Sequence, residues 1–162
     1  KLLFMGQELA QPWEWQHQGQ LGWQLLDEPA HRGVYRLIAD LNAVYRARPA
    51  LHHTDFHGDG FRWLRWDDSD NSVLTFLRIG GGETVIVALN FTPVPRPDYR
   101  IGAPQTGQYE EVLNSDRDVY GGTGQFDNSS VQAEAVAWMD QPASVSVDLP
   151  PLGGVVLARI PD

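Results

Sequence analysis

The sequence predicts a mainly β protein, an antiparallel β-sandwich preceded by a single β/α unit. Two observations carry that expectation. Before Pro49 the apolar residues keep helical spacing; after it they fall in short runs punctuated by Gly, Pro, Asp and Asn. The boundary belongs near Pro49 to His53, dividing the chain into residues 1–50 and 51–162.

The β/α unit opens with Leu2 to Met5 (LLFM), an apolar run that stops at Gly6. Strands covered on both faces have such runs, because their residues need not alternate. A polar and aromatic cluster follows: Gln7, Glu8, Gln11, Trp13, Glu14 and Trp15. Beyond the carboxyl end of a parallel strand is where α/β barrels place their ligand loops. Indole rings stack on the C–H faces of sugars while carboxylates and amides take the hydroxyls. Glu8, Trp13 and Trp15 are therefore the candidate substrate-binding residues, against the plainer roles of a rim carboxylate and of space-filling indoles. Pairing Glu8 with Glu14 as acid and nucleophile has no support, since the loop through Pro12 leaves their separation unset. A chain that opens inside a buried parallel strand is expected to be a piece of something longer.

His31 to Arg48 places Val34, Leu37, Ile38, Leu41, Val44 and Tyr45 on one helical face. Pro49 ends the helix, and Arg46 and Arg48 suit the negative end of its dipole. Beyond it, Phe61 to Trp66, Ser72 to Arg78 and Glu83 to Phe91 are expected as strands of a meander, with Gly80 to Gly82 as a hairpin turn rather than a phosphate loop. Tyr99 to Ile101, Tyr109 to Leu113, Ser144 to Leu149 and Val155 to Ile160 complete the strand set. Ser115 to Gln141 is expected as a long loop with one short strand near Val131 to Val136. Phe61, Trp63 and Trp66 are assigned to the core, with Arg62 and Arg65 outward or paired across strands.

A chain of 162 residues can bury one core, or one core and a fragment of another. Its formal charge of −9 and pI of about 4.8 disfavour nucleic acid and an anionic membrane surface, and leave a neutral polymer unaffected. No stretch approaches the ~20 apolar residues that span a bilayer. With no cysteine there is no disulfide framework and no thiolate metal site, which fits a reducing cytosol. His52, His53 and His57, with Asp55 and Asp59, suggest metal ligands but lie in one polar connector, so no metal is expected. The sequons Asn90-Phe91-Thr92 and Asn128-Ser129-Ser130 carry little weight in a cytoplasmic protein.

Taken in order, LLFMGQELAQPWEW, LGWQLL at Leu21 to Leu26, ADLNAVYRARPALH at Ala39 to His52 and NFTPVPRPDYRIG at Asn90 to Gly102 form a recognisable series. EVLNSD at Glu111 to Asp116, YGG at Tyr120 to Gly122 and LPPLGGVVL at Leu149 to Leu157 continue it. The chain resembles the carboxyl-terminal part of bacterial 1,4-α-glucan (glycogen) branching enzymes, members of the α-amylase superfamily. The resemblance implies that residues 1–50 are the eighth strand, loop and helix of a catalytic (β/α)8 barrel, and residues 51–162 the β-sandwich that follows it. It implies an α-glucan substrate, no cofactor, a cytoplasmic location and a retaining transfer from an α-1,4 linkage to a 6-hydroxyl. It also implies that the catalytic carboxylates precede Lys1, on the missing upstream barrel segment. This chain alone is then inactive and carries no catalytic residue. A non-catalytic carbohydrate-binding or barrel-stabilising module is the alternative, and a hydrolase of the same superfamily a weaker third.

Overall fold

The computed structural model describes residues 2–161. Its largest part is a sandwich of two antiparallel sheets built from β1 (Phe61–Asp68), β2 (Val73–Gly80), β3 (Glu83–Asn90), β4 (Arg96–Ala103), β5 (Gly107–Asn114), β6 (Val131–Ala133), β7 (Ala143–Leu149) and β8 (Gly154–Arg159). One sheet runs β1-β2-β3-β8-β5-β6; the other pairs β4 with β7. Between them lies the core, with Leu77, Ile86, Ile101, Val145, Leu149, Val155 and Leu157 among its members. Each such aliphatic side chain contributes about 1.5–3 kcal/mol on full burial.

Turn chemistry sets the register. β2 and β3 close through Gly81 and Gly82, with φ of 60° and 80°, so Gly80 pairs with Glu83. Two consecutive positive φ values define the primed hairpin turn that glycine fits without strain. Pro97, which cannot donate to a ladder, sits in β4 where the pairing with β7 shifts between Arg96 and Tyr99.

The sandwich ends are pinned by buried polar side chains. Asn90 donates to the carbonyls of Val94 (2.8 Å) and Pro150 (2.9 Å). Glu111 Oε2 accepts from the side-chain amides of Asn114 (3.0 Å) and Asn128 (2.9 Å), which holds the long loop after β5. Both sequon asparagines are therefore structural members of the fold, buried with Asn114.

Helix α1 (Pro29–Ala47) starts on proline, whose fixed φ and missing N–H suit the first turn. It lies against the sandwich at one close approach: a Cβ on Gly33 would meet the Tyr120 carbonyl oxygen at 2.3 Å. The following turn, Pro49–Leu51, covers the outer face of β3 and β8, where Ala50, Val85 and Ala158 form a second small core. Arg48 binds Glu83 (3.1 Å) and Glu110 (2.5 Å), and Arg78 binds Asp55 (2.7 Å), so the junction is tied by charge as well.

One expectation, for β1, needs correction. The strand expected at Leu2 to Met5 calls for neighbours from a barrel, and here the run is unpaired, with Leu2 84% exposed. A strand is defined by ladder partners, and among the described residues none lies beside this run. Phe61, Trp63 and Trp66 are not core: all three are exposed, Trp66 at 67%. Register shifts between Trp63 and Arg65, and between Arg65 and Asp68, break the alternation of β1. The strand buries Leu64 and Asp68 instead.

Candidate functional site

The candidate residues sit on a compact arm that precedes α1. Gly6, at φ 93°, opens a tight turn, Gln7–Leu9, that no side chain caps. Local bonds hold it: Phe4 N–H donates to Gln7 Oε1 at 2.8 Å, and Gly6 N–H donates to Glu8 Oε2 at 3.1 Å. Leu9 is fully buried. Its carbonyl lies 2.7 Å from His31 Nδ1; since a carbonyl only accepts, that nitrogen carries the proton. The arm is thereby fixed to the first turn of α1.

Further along, Gln11 Oε1 accepts from Gly22 N–H at 3.1 Å and folds the loop back on itself. A Cβ on Gly22 would stand 2.6 Å from the Trp13 ring, so glycine lets the indole lie against the backbone there. Trp15 packs edge-on against Phe4, with centroids 5.1 Å apart at 85°. Trp13 and Trp15 keep 47% and 44% of their surface exposed and, with Glu14 and Gln7, line one groove of about 470 Å³. Half-exposed indoles on a folded arm, beside amide and carboxylate groups, are suited to sugar rings. Glu8 faces a different concavity of about 340 Å³, beside Tyr35, Ile38 and Asn42 on α1. Met5 lines both grooves.

No group of three or more metal-binding side chains occurs among the described residues. In the connector, His52 meets Tyr45 edge-on, with centroids 5.5 Å apart at 61°, and Asp55 holds Arg78. An apolar groove of about 640 Å³ lies between the arm, α1 and the outer face of the sandwich; the contribution of the sandwich to it was absent from the sequence-based expectation. Leu2, Leu3, Ile38, Leu41, Leu51 and Phe76 line it. Phe76 stacks on Phe61 (5.1 Å) and meets Trp63 (5.8 Å), extending an aromatic surface beyond it. The apolar helix face pointed towards this groove in the sequence; the outward turn of β1 was hidden by its bulges.

Residues 63–160 match the model of the alpha amylase C-terminal all-beta domain, more than half of the chain and nearly all of the sandwich. The chain belongs to that family. Its similarity to whole proteins extends further, over the arm and helix of this α-amylase C-terminal domain protein. It is 51% identical to the 1,4-alpha-glucan branching enzyme GlgB of Cereibacter sphaeroides across 96% of the chain. It is 48% identical to the enzyme of the same name from Nitrosococcus oceani, and 46% to that from Aquifex aeolicus, each across 97%. The chain spans only 21–25% of the length of these relatives.

Proposed function

We propose that this chain is the carboxyl-terminal part of a glucan branching enzyme. The parent protein cleaves an α-1,4 glucosidic linkage and transfers the released chain to a 6-hydroxyl, forming an α-1,6 branch in a glycogen-type polymer in the cytoplasm. One observation carries this: the identity of about half extends over both regions of the chain, from the arm through the last strand. Retention at the anomeric carbon takes two carboxyl groups about 5 Å apart. Those groups belong to the upstream barrel segment, and this chain alone is inert.

In this arrangement residues 1–50 complete the barrel, with Leu2 to Met5 as its last strand. Supporting that role is the apolar groove beside Leu2 and Leu3, which an upstream segment of the same polypeptide would cover. Trp13 and Trp15 stack on glucan residues approaching the barrel mouth, and Glu8 takes a hydroxyl or braces the rim.

The test joins this chain to the upstream portion of the Cereibacter sphaeroides relative and follows branch formation on amylose through loss of the iodine complex. Transfer by the joined protein and none by the chain alone is expected. A joined protein that only releases reducing ends contradicts the transferase assignment. A second function, a carbohydrate-binding or barrel-stabilising module, is favoured by the exposed tryptophans and the apolar groove, and is compatible with the first.

A further inference from the structure

We propose that Gln11 is a positioning residue for the glucan. It sets the pose of the Trp13 indole through the backbone of Gly22, and so governs how tightly the polymer is held at the barrel mouth. The glucan rests on the function proposed above; the positioning rests on the geometry that follows.

Residues 12–21 form a loop whose two ends meet at one side chain. Gln11 N–H donates to the Gly6 carbonyl at 3.0 Å, which seats the residue on the turn that His31 fixes to α1. Its side chain lies across Gly6, where a Cβ would stand 3.0 Å from Gln11 Cδ. From there Gln11 Oε1 accepts from Gly22 N–H at 3.1 Å, 11 residues along the chain. A backbone N–H only donates, so it is the amide oxygen that faces Gly22. The Trp13 ring rests on the same glycine, 2.6 Å from where its Cβ would be. Gln11 holds Gly22, and Gly22 is the surface on which Trp13 lies.

This tie matters because the loop has little else to order it. Residues 12–20 are all exposed, whereas Gly22 is buried. A segment with no buried side chain takes its order from the bonds at its ends. A ring already held in place loses little freedom when a sugar stacks on it, while a mobile ring must first be immobilised. Trp15 is held differently. Its ring meets Phe4 edge-on, and Phe4 N–H donates to Gln7 rather than to Gln11. Phe4 belongs to the run that the proposed function assigns to the barrel. The stack of Gln11, Gly22 and Trp13 is thus the side of the groove that this chain sets by itself.

Two measurements test the assignment. In the ¹⁵N-labelled chain, with no glucan present, Gln11→Ala should move the Trp13 indole N–H resonance towards its random-coil position and leave that of Trp15 in place. Gln11→Glu keeps an acceptor oxygen and should leave Trp13 unmoved. Gln11→Met fills similar space without that oxygen and should behave as the alanine variant; preserved dispersion in each spectrum checks folding. In the joined protein, Gln11→Ala should raise KM for amylose about tenfold and leave kcat within about twofold, the split expected when binding remote from the reacting bond is lost. Gln11→Glu should restore KM. Adding Gln11→Ala to Trp13→Ala should change KM no further, because Gln11 acts through that ring, whereas adding it to Trp15→Ala should give the full effect. An unmoved Trp13 resonance, an unchanged KM, rescue by Gln11→Met, or additivity with Trp13→Ala overturns the positioning role. A joined protein that forms no branches overturns the proposed function instead, and the Trp13 resonance then decides whether Gln11 sets the ring.

Discussion

Tyr120 donates its hydroxyl to Asp40 Oδ2 at 2.7 Å, and this single bond joins the long loop of the sandwich to the middle of α1. The same residue's carbonyl faces Gly33 one helical stretch earlier. One tyrosine therefore sets both the distance and the rotation of the helix against the sandwich. Removing either contact should loosen it. Tyr120→Phe is expected to cost about 1.5–3 kcal/mol, the range for a hydrogen bond to a charged group. Gly33→Ala should cost about 1–3 kcal/mol through overpacking against backbone. Urea unfolding gives the energies, and limited proteolysis should show earlier cleavage within α1.

The same contact predicts an alkaline transition. Burial, with the hydrogen bond to Asp40, raises the Tyr120 hydroxyl from 10.0 to about 12. Tyr99 is raised as well, by burial and its bond to Asp68. A raised folded value means the protonated form is favoured in the fold, so this stability is complete below pH 10 and is lost as the pH climbs to about 12. Tyr120→Phe should flatten the fall of unfolding free energy across that window. An unchanged slope would exclude Tyr120 as its source.

At acid pH the sign reverses, with Asp68 as the group. Burial opposes its ionised form, but bonds donated by Tyr99 and Asn71 outweigh that and hold its pKa below the ordinary 3.8. Stability from this carboxylate is present above about 3.8 and declines as pH falls through the lower folded value. Asp68→Asn should remove that acid dependence while weakening the tie between β1 and β4. NMR titration of the Asp68 carboxyl carbon measures the shift directly.

The apolar groove makes a prediction about association. Exposed Leu2, Leu3 and Leu41 beside Phe61 and Trp63 form the kind of patch that drives self-contact. Sedimentation should show residues 1–162 associating more than a chain beginning at Leu51, and Leu41→Glu should reverse the association. Equal monomeric behaviour of all three would refute an interface there.

What was legible in the sequence was whatever depended on local pattern. Pro49 closed the helix, the paired positive-φ glycines marked the hairpin, and the short apolar runs located the strands. The strand β4 was harder: Pro97 and a shifted register disguise its start, and only Tyr99 to Ile101 was expected. The tryptophans of β1 were assigned to the wrong side for a specific reason: alternation predicts a face only in an unbulged strand, and two irregularities lie within six residues. Leu2 to Met5 stays unpaired here because ladder partners are not a property of the run itself, and those the proposed function calls for lie upstream. The EVLNSD and NFTPVP stretches, which carried the family resemblance, turn out to hold Glu111, Asn114 and Asn90 in the pins of the fold. Of the candidate site, the clustering of Trp13 and Trp15 in one groove was readable from their spacing. The separate outlook of Glu8 was not, since it depends on how Gly6 turns the chain.

Hydrogen exchange at Leu2 to Met5 tests the central claim most directly. In this chain those amides have no ladder partners among the described residues, and Phe4 N–H bonds only an exposed side chain, that of Gln7, so they should exchange quickly. Joined to the upstream portion of a branching relative, in a protein that forms branches, they should become protected by at least about a hundredfold, the ~2.7 kcal/mol expected of a strand closed on both sides. Free exchange at Leu2 to Met5 in an active joined protein would contradict their proposed place as the last strand of the barrel.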